Sequence, residues 1–253
     1  MELITSLFNE ILYRPLLNTL VFFYNVIPGR DFGIAIIALT VFIRSLLYPL
    51  SQKAIKSQKA LQQLQPKIKE IQAKFKEDKE KQSQAMMEFY KENKVNPFSG
   101  CLPLIIQLLI LIALYQVFIT PLRGGDLNGL YSFVAAPGQI NFLFLGLIDL
   151  TQRSILLAVI AGLLQFIQTK MISPPKPAQK SKMDISSIMS QMTYFMPLIT
   201  VFIALSFPAG LPLYWITITL FTIGQQSLIM KKDSQPKQRT EQRTEQRTEQ
   251  RTG

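Results

Sequence analysis

A few charged or amide side chains lie inside long apolar stretches of the sequence. The three of most interest are Arg44 in Ile34–Leu50, Gln107 in Leu102–Ile119 and Gln165 in Ile155–Ile172. An arginine within a membrane helix costs about 2.5–3.5 kcal/mol on insertion scales, so by default it marks a functional site. The long apolar stretches contain no aspartate or glutamate. We therefore expect Arg44 to meet water, lipid headgroups, backbone carbonyls or a bound guest.

These polar residues are predicted to share one level in a membrane. Counted along straight helices from their cytoplasmic ends, Arg44, Gln107 and Gln165 lie about 8–10 Å deep. Thr40 lies one turn from Arg44 on the same helical face. The pattern predicts a hydrated cavity that opens toward the cytoplasm. Further glutamines would widen its mouth, namely Gln168, Gln225 and Gln226.

Two simpler interpretations of the same residues stay open. Each glutamine alone is more typical of a hydrogen bond between neighbouring membrane helices. Arg44 alone is compatible with snorkelling, in which a long side chain extends to the cytoplasmic interface and serves only as an anchor.

The sequence lacks the residues that several common chemistries require. It has no histidine and one cysteine, Cys101, which excludes imidazole catalysis, histidine metal sites and an intrachain disulfide. It has no G-x-x-x-x-G-K-[ST] nucleotide-binding motif. We therefore predict that the protein is not an enzyme and has no catalytic residues, metal or cofactor.

Composition and charge favour a membrane protein over a soluble nucleic-acid binder. Hydrophobic residues make up 48% of the chain and charged residues 17%, whereas soluble domains carry about 25% charged residues. The net charge is +11, but 22 of the 27 basic residues fall in the blocks 51–100, 170–190 and 231–253. Because long apolar stretches separate these blocks, we do not expect specific DNA binding.

The predicted fold class is an all-α membrane protein with five transmembrane helices in a core domain over residues 31–232. A spanning helix needs about 20 mostly apolar residues. The predicted spans are Ile34–Leu50, Leu102–Ile119, Ile155–Ile172, Met192–Phe207 and Leu211–Met230. Because lysine-rich loops stay in the cytoplasm, the N-terminus is expected outside and the C-terminus inside.

Two helical segments are predicted outside the spans. Residues 1–30 have an apolar stripe that predicts an amphipathic helix on the outer membrane interface. That stripe consists of Leu3, Ile4, Leu7, Phe8, Ile11 and Leu12. Residues 52–96 predict a cytoplasmic hairpin of two antiparallel helices. Its two apolar stripes are Leu61, Leu64, Ile68, Ile71 and Phe75, then Met86, Met87, Phe89 and Tyr90.

Further predictions concern the role of the hairpin and the two ends of the chain. The hairpin is either a solvated structure closed on its own seam or an adaptable docking surface. Residues 233–253 contain a repeated RTEQ unit that no packed core can use, which predicts disorder. Residues 1–30 lack the basic region and A-x-A-like site of a cleavable signal peptide.

Three motifs, taken together, resemble one known family. The first is NPFSGCLPLIIQ, from Asn96 to Gln107, and the second is the pair Thr40 and Arg44 before a Tyr-Pro-Leu triplet. The third is FPAGLPLYW, which ends at Trp215. In this order they resemble the YidC/Oxa1/Alb3 membrane protein insertases over about residues 10–232. The signal anchor, large periplasmic domain and lipobox cysteine of many members are not seen, so a short bacterial form is expected.

The resemblance implies a function and a set of site residues. It implies an insertase and chaperone with a positively charged groove that is open to cytoplasm and lipid, in which Arg44 attracts hydrophilic or acidic parts of a new membrane protein. Thr40 and Gln107 match groove positions, and Gln165 fits the same pattern. Tyr214 and Trp215 match an aromatic pair that touches the guest helix. The implied partners are nascent membrane proteins, lipids, ribosome, Sec translocon and targeting machinery, at a bacterial plasma membrane.

A small-solute or anion transporter is the alternative function that Arg44 would also suit. It predicts inverted repeats and polar residues through to the outer membrane face. The outer halves of two predicted spans, Leu109–Leu114 and Leu198–Leu205, are instead almost wholly apolar. The residues therefore favour a cavity that is closed on the outside.

Overall fold

A computed structural model describes residues 2–93, 95–96, 102–122, 129–172 and 185–229 of the chain. In these ranges the protein is mostly helical. Its helices are α1 (Glu2–Phe8), α2 (Arg14–Val26), α3 (Phe32–Leu46), α4 (Tyr48–Lys74), α5 (Lys79–Glu92), α6 (Leu102–Leu122), α7 (Ile155–Ile172), α8 (Ile185–Ser206) and α9 (210–229), with a π-helical turn at Asn9–Tyr13. The predicted tail at 233–253 and residues 97–101 of the first motif lie outside the described residues.

The first predicted span consists of two helices instead of one. α3 ends at Leu46, and the chain bends by 68° before α4. Pro49 in the first turn of α4 explains the break, because it has no N–H to donate to the Ser45 carbonyl and its ring would clash with that group. The straight helix predicted over Ile34–Leu50 is therefore corrected to a bent pair.

One apolar core joins α2, α3, α6, α9 and the segment 129–150. Its most deeply buried side chains are Leu17 and Leu20 of α2, Ile36 and Leu39 of α3, Leu114 and Val117 of α6, and Leu150. The helix predicted over residues 1–30 thus has two different halves. Its second half packs against α3, whereas Leu3, Leu7 and Ile11 in its first half are exposed.

The segment between α6 and α7 contains the described strands, which the all-α prediction did not include. Strands β1 (Leu143–Phe144) and β2 (Ile148–Asp149) pair antiparallel, with Leu143 opposite Asp149. The segment is tied to the first helices by polar contacts. Asn18 Nδ2 donates to the Gly129 carbonyl at 2.9 Å, and Tyr24 Oη accepts from the Asn141 amide at 2.8 Å.

Helices α4 and α5 contact each other across the connection 75–78. Gln82 Nε2 at the start of α5 donates to the Gln72 carbonyl near the end of α4 at 2.9 Å. The residues of the first predicted stripe, Leu61 to Phe75, are all half-buried, whereas Met87 of the second stripe is exposed. The position of these helices relative to a membrane stays a prediction.

The predicted spans differ in the length and hydropathy of the helices that the structure shows for them. Among the described residues, no single helix combines the length and hydropathy of a span, although α3 and the first half of α4 do so together across their bend. Shorter apolar helices cover Ile105–Ile119, Ile155–Met171 and Phe195–Ser206. The number of five spans therefore stays a prediction.

We predict that the close approach of α7 and α8 depends on Gly162. A Cβ at Gly162 would collide with Val201 Cγ2 and lie 3.2 Å from the Pro197 carbonyl oxygen. Gly162→Ala should therefore lower the unfolding free energy in detergent by about 1–3 kcal/mol, as overpacking does. Gly224 in α9 is the matched control, because a Cβ there would meet no atom within 4 Å. Gly224→Ala should be neutral or stabilise by up to about 1 kcal/mol, and equal effects would contradict this packing.

A second prediction concerns pH and α5. The Asp78 carboxylate accepts from the Lys81 backbone N–H at 3.0 Å and forms an ion pair with its ammonium, and these contacts lower the pKa of Asp78 from its usual 3.8. A lowered pKa stabilises the folded form above the usual value, and this stabilisation is lost as pH falls through the lowered value. The protection factors of α5 amides in hydrogen exchange should therefore decrease once the pH is lower than about 4.

The control for this pH effect is Asp78→Asn, since asparagine also caps a helix but does not titrate. Protection of α5 in this variant should not show the same fall below the usual aspartate pKa. An identical pH profile in both proteins would show that another group controls this end of the helix.

Candidate functional site

A small cavity between α3, α6 and α9 brings together side chains from three distant parts of the sequence. Its interior holds about 10 Å³ of space for the centre of a water molecule, which is room for about one water. The residues that line it are Thr40, Ile43 and Arg44 of α3, Leu47 directly after α3, Gln107 and Ile110 of α6, and Tyr214 and Ile218 of α9. The first four follow the i, i+3, i+4, i+7 spacing of one helical face. One face of α3 therefore forms a wall of the cavity.

Arg44 is the cation of this cavity and has an unmet hydrogen-bonding group. Its Nε atom is buried and has no hydrogen-bond partner among the described residues. The described residues that line the cavity include no carboxylate. Because a buried donor without a partner is costly, the cavity favours an incoming anion, carbonyl or water at this position.

The bend after α3 changes the position that the sequence suggested for Arg44. The count of its depth assumed that the helix continues to Leu50. Since α3 ends at Leu46, Arg44 lies in its last turn. The negative end of the helix dipole stabilises a cation there, which explains how the fold tolerates Arg44 with no acidic partner in the described part of the chain.

Gln107 and Tyr214 form a polar pair across the cavity. Gln107 Nε2 donates a hydrogen bond to Tyr214 Oη. The tyrosine is almost fully buried, and its ring packs edge to face against Phe118 with centroids 6.5 Å apart. The pair therefore joins α6 to α9 beside Arg44 and fixes the direction of both side chains.

Thr40 supplies the remaining polar group of the lining. Its hydroxyl donates to the Ile36 carbonyl at 2.7 Å, so its oxygen is left to accept a hydrogen bond from a guest or a water. The other lining residues are aliphatic. Among the described residues no group of three or more His, Cys, Asp or Glu side chains could hold a metal ion.

Two residues of the predicted site do not line this cavity. Gln165 lies on α7, which packs mainly against α8, and its backbone carbonyl accepts from Thr169 Oγ1 at 2.7 Å. Trp215 follows Tyr214 in α9, but it is half-buried and packs against the edge of the apolar core. The structure thus brings together Thr40, Arg44, Gln107 and Tyr214.

Two of the three glutamines predicted at the mouth, Gln225 and Gln226, are buried on α9, whereas Gln168 is half-buried on α7. Gln225 Nε2 makes a long contact of 3.4 Å with the Tyr48 carbonyl at the start of α4. The Oε1 atoms of both Gln225 and Gln226 are buried without a hydrogen-bond partner among the described residues. Buried amide groups that can still accept a hydrogen bond therefore continue along α9 toward the bend between α3 and α4.

Four aliphatic lining residues were not identified from the sequence, namely Ile43, Leu47, Ile110 and Ile218. Helical spacing contained the signal for them. Each lies three or four residues from a predicted polar residue, so it shares that residue's face of the helix. Their side chains give the cavity an apolar lining around the cation.

Comparisons with known proteins give relatives for most of the chain. Residues 22–237 match the family described as 60Kd inner membrane protein. The membrane protein insertase YidC of Brucella melitensis is 38% identical over 210 residues, which cover 80% of this chain and 33% of that protein. YidC of Pelobacter propionicus is 34% identical over 223 residues, which cover 87% of this chain and 39% of that protein.

A solved structure is similar as well. The crystal structure of an active YidC insertase with its first transmembrane domain resolved matches with a TM-score of 0.57 and 25% identity. The match covers 87% of this chain and 46% of that chain. This chain therefore spans between about a third and a half of the length of these relatives.

We predict that Gln107 and Tyr214 stabilise the fold as a coupled pair. Tyr214→Phe removes the acceptor of the Gln107 amide, which should cost about 1–3 kcal/mol of unfolding free energy in detergent. Gln107→Leu should also destabilise the protein. The double variant should lose less than the sum of the two single losses, because neither unpaired group then remains. Additive losses would contradict direct coupling.

Proposed function

The chain belongs to the 60Kd inner membrane protein family, and we propose that it is an insertase and chaperone for newly made integral membrane proteins. In this proposal the cavity is part of a hydrated, positively charged groove that is open to the cytoplasm and to lipid. The curated relatives carry the name membrane protein insertase YidC, which supports the proposal. We propose a bacterial plasma membrane as the location of the protein.

The main observation in support of this function is the buried Nε of Arg44, which has no hydrogen-bond partner among the described residues. A structural arginine would be expected to have its donors satisfied by carboxylates or carbonyls. Here Nε is buried without a partner among the described residues, beside an accepting threonine oxygen and a glutamine–tyrosine pair. Such a site favours a polar guest that binds transiently. A permanent partner of Nε within the protein would occupy the place of the guest.

The mechanism uses solvation and charge without covalent chemistry. A polar segment cannot cross about 30 Å of hydrocarbon unaided. Water in the cytoplasmic half of a groove shortens the dry path, and Arg44 lowers the free energy of an acidic segment that enters it. Partition of the hydrophobic guest helix into lipid then supplies the driving free energy.

The proposed topology has five spans, with the N-terminus outside and the C-terminus in the cytoplasm. The apolar side chains exposed on α7 and α8 support contact with lipid, since soluble surfaces rarely show large apolar patches. The most exposed are Ile155, Leu156, Phe195, Leu198 and Phe202. Residues 1–30 then form the outer interfacial segment, and residues 52–96 form a cytoplasmic hairpin.

Further groove and partner roles follow from the same proposal. Gln165 and Trp215 contact the guest from positions beyond the small cavity, at the lipid side of the groove. The lysine-rich hairpin, with Met87 exposed near its end, is a docking surface for the ribosome, a Sec translocon or targeting machinery.

The test is insertion of matched guests by the purified chain in liposomes. Two single-span guests should differ only in whether the translocated segment is acidic or neutral. We predict that Arg44→Ala reduces insertion of the acidic guest by about tenfold, equal to 1.4 kcal/mol, and the neutral guest much less. Arg44→Lys keeps the charge and should retain most activity for both guests.

Arg153 offers the matched control for this test, because it is an exposed arginine outside the cavity. Arg153→Ala should insert both guests normally. Equal loss for both guests with Arg44→Ala, or no loss, would refute the electrostatic role of Arg44. No insertion by the unaltered protein would refute the proposed function itself.

A further inference from the structure

The turn between β1 and β2 presents three leucines to the outside of the fold. Leu147 is 83% exposed, Leu145 61% and Leu143 47%. The intervening residue, Phe144, instead packs inward against the first turn of α3, where a Cβ at Gly33 would collide with its ring. The leucines are therefore the exposed side of a firmly seated hairpin, and we call them the leucine tip.

The backbone of the tip has a conformation that is unusual for leucine. Leu145 has φ +51° and Gly146 has φ +71°. Glycine and asparagine adopt this left-handed region readily, whereas leucine does so at an energetic cost. A leucine that is both strained and exposed contributes little to the folded core. An outlier of this kind indicates a functional reason for the side chain.

A buried carboxylate holds the tip in place. Asp31 Oδ2 accepts a hydrogen bond from the Leu145 amide at 2.6 Å, while Oδ1 caps the start of α3. Leu147 N–H closes the turn on the Phe144 carbonyl at 3.0 Å. The tip is thus fixed at the level at which the apolar helix α3 begins.

The chain that leads into the tip and through its turn contains no charged residue. Residues 127–148 include no Asp, Glu, Lys or Arg over 22 positions. A loop surrounded by water would be expected to carry charges, as the lysine-rich segment 52–96 does. A turn without charge and with large exposed leucines, beside the start of an apolar helix, fits the boundary between headgroups and acyl chains. The first carboxylate after it, Asp149 of β2, is half-buried and accepts hydrogen bonds from Thr151 N and Oγ1.

We propose that Leu143, Leu145 and Leu147 insert into the outer leaflet of the membrane, so that this hairpin is a lipid-contacting wedge at the outer end of α3. The inference rests on the membrane location in the proposed function and does not depend on insertase activity. Asp31 acts as the positioning residue, because its carboxylate sets the direction of the tip.

The test places one fluorescent label at a time on the full chain in liposomes of phosphatidylcholine and phosphatidylglycerol. In a Cys101→Ser background, Leu147→Cys carries an environment-sensitive NBD label. Gln152→Cys is the control at an exposed polar position of the same segment, and Leu163→Cys is the reference on the exposed apolar face of α7.

The label at position 147 is expected to be quenched by lipids with a shallow doxyl group and to have a severalfold smaller iodide quenching constant than the label at 152. Equal iodide access at 147 and 152 would overturn the proposal. Iodide access at 163 as well would overturn the membrane location together with it. Failure of guest insertion with lipid quenching intact at 147 would contradict only the insertase function.

Leu145→Asn separates lipid contact from folding. Asparagine tolerates the left-handed backbone, so the Tm in detergent should stay equal or rise. Lipid quenching of the label at 147 should fall, because one of the two leucines that remain beside the label is gone. A lower Tm would contradict the strain at Leu145, and unchanged lipid quenching would contradict its contact with lipid.

Discussion

The structure depends on one constraint. The helix α3 must pack into the apolar core along one part of its length and hold a cation, Arg44, in its last turn. Its buried side runs from Ile36 and Leu39 to Thr40 and then to Arg44 within little more than two turns. The first part fixes α3 against α2 and α6, and the second part leaves a guanidinium beside aliphatic walls. The core is therefore what holds Arg44 in a cavity that satisfies it only in part.

Much of the polar site could be predicted because local spacing and residue type carry it. Thr40 and Arg44 are one turn apart, and Gln107 is conspicuous in an apolar stretch, so each could be identified without knowledge of the fold. The contact of Gln107 with Tyr214 could not, since it depends on how α6 packs against α9. Gln165 shows the same limit, because depth along a helix does not determine which neighbour that helix contacts.

The fold was predictable where the pattern is long and was not where a single residue decides. Extended apolar stretches gave the positions of α6, α7 and α9 closely. Pro49 ends a helix that hydropathy alone extends to Leu50, and the short strands β1 and β2 are formed by two residues each. Such short elements depend on tertiary contacts, here the Asp31 carboxylate and the packing of Phe144, more than on periodicity.

The two ends of α3 differ in how their hydrogen-bonding groups are satisfied. At the first end, Asp31 accepts from three backbone amides and also joins the hairpin to the helix. At the other end, Arg44 retains a buried donor without a partner among the described residues. Both charges suit the helix dipole, so the dipole does not explain the difference. The difference arises because backbone amides of the fold satisfy the Asp31 carboxylate at the first end, whereas in the proposed function the second end is left open for a guest.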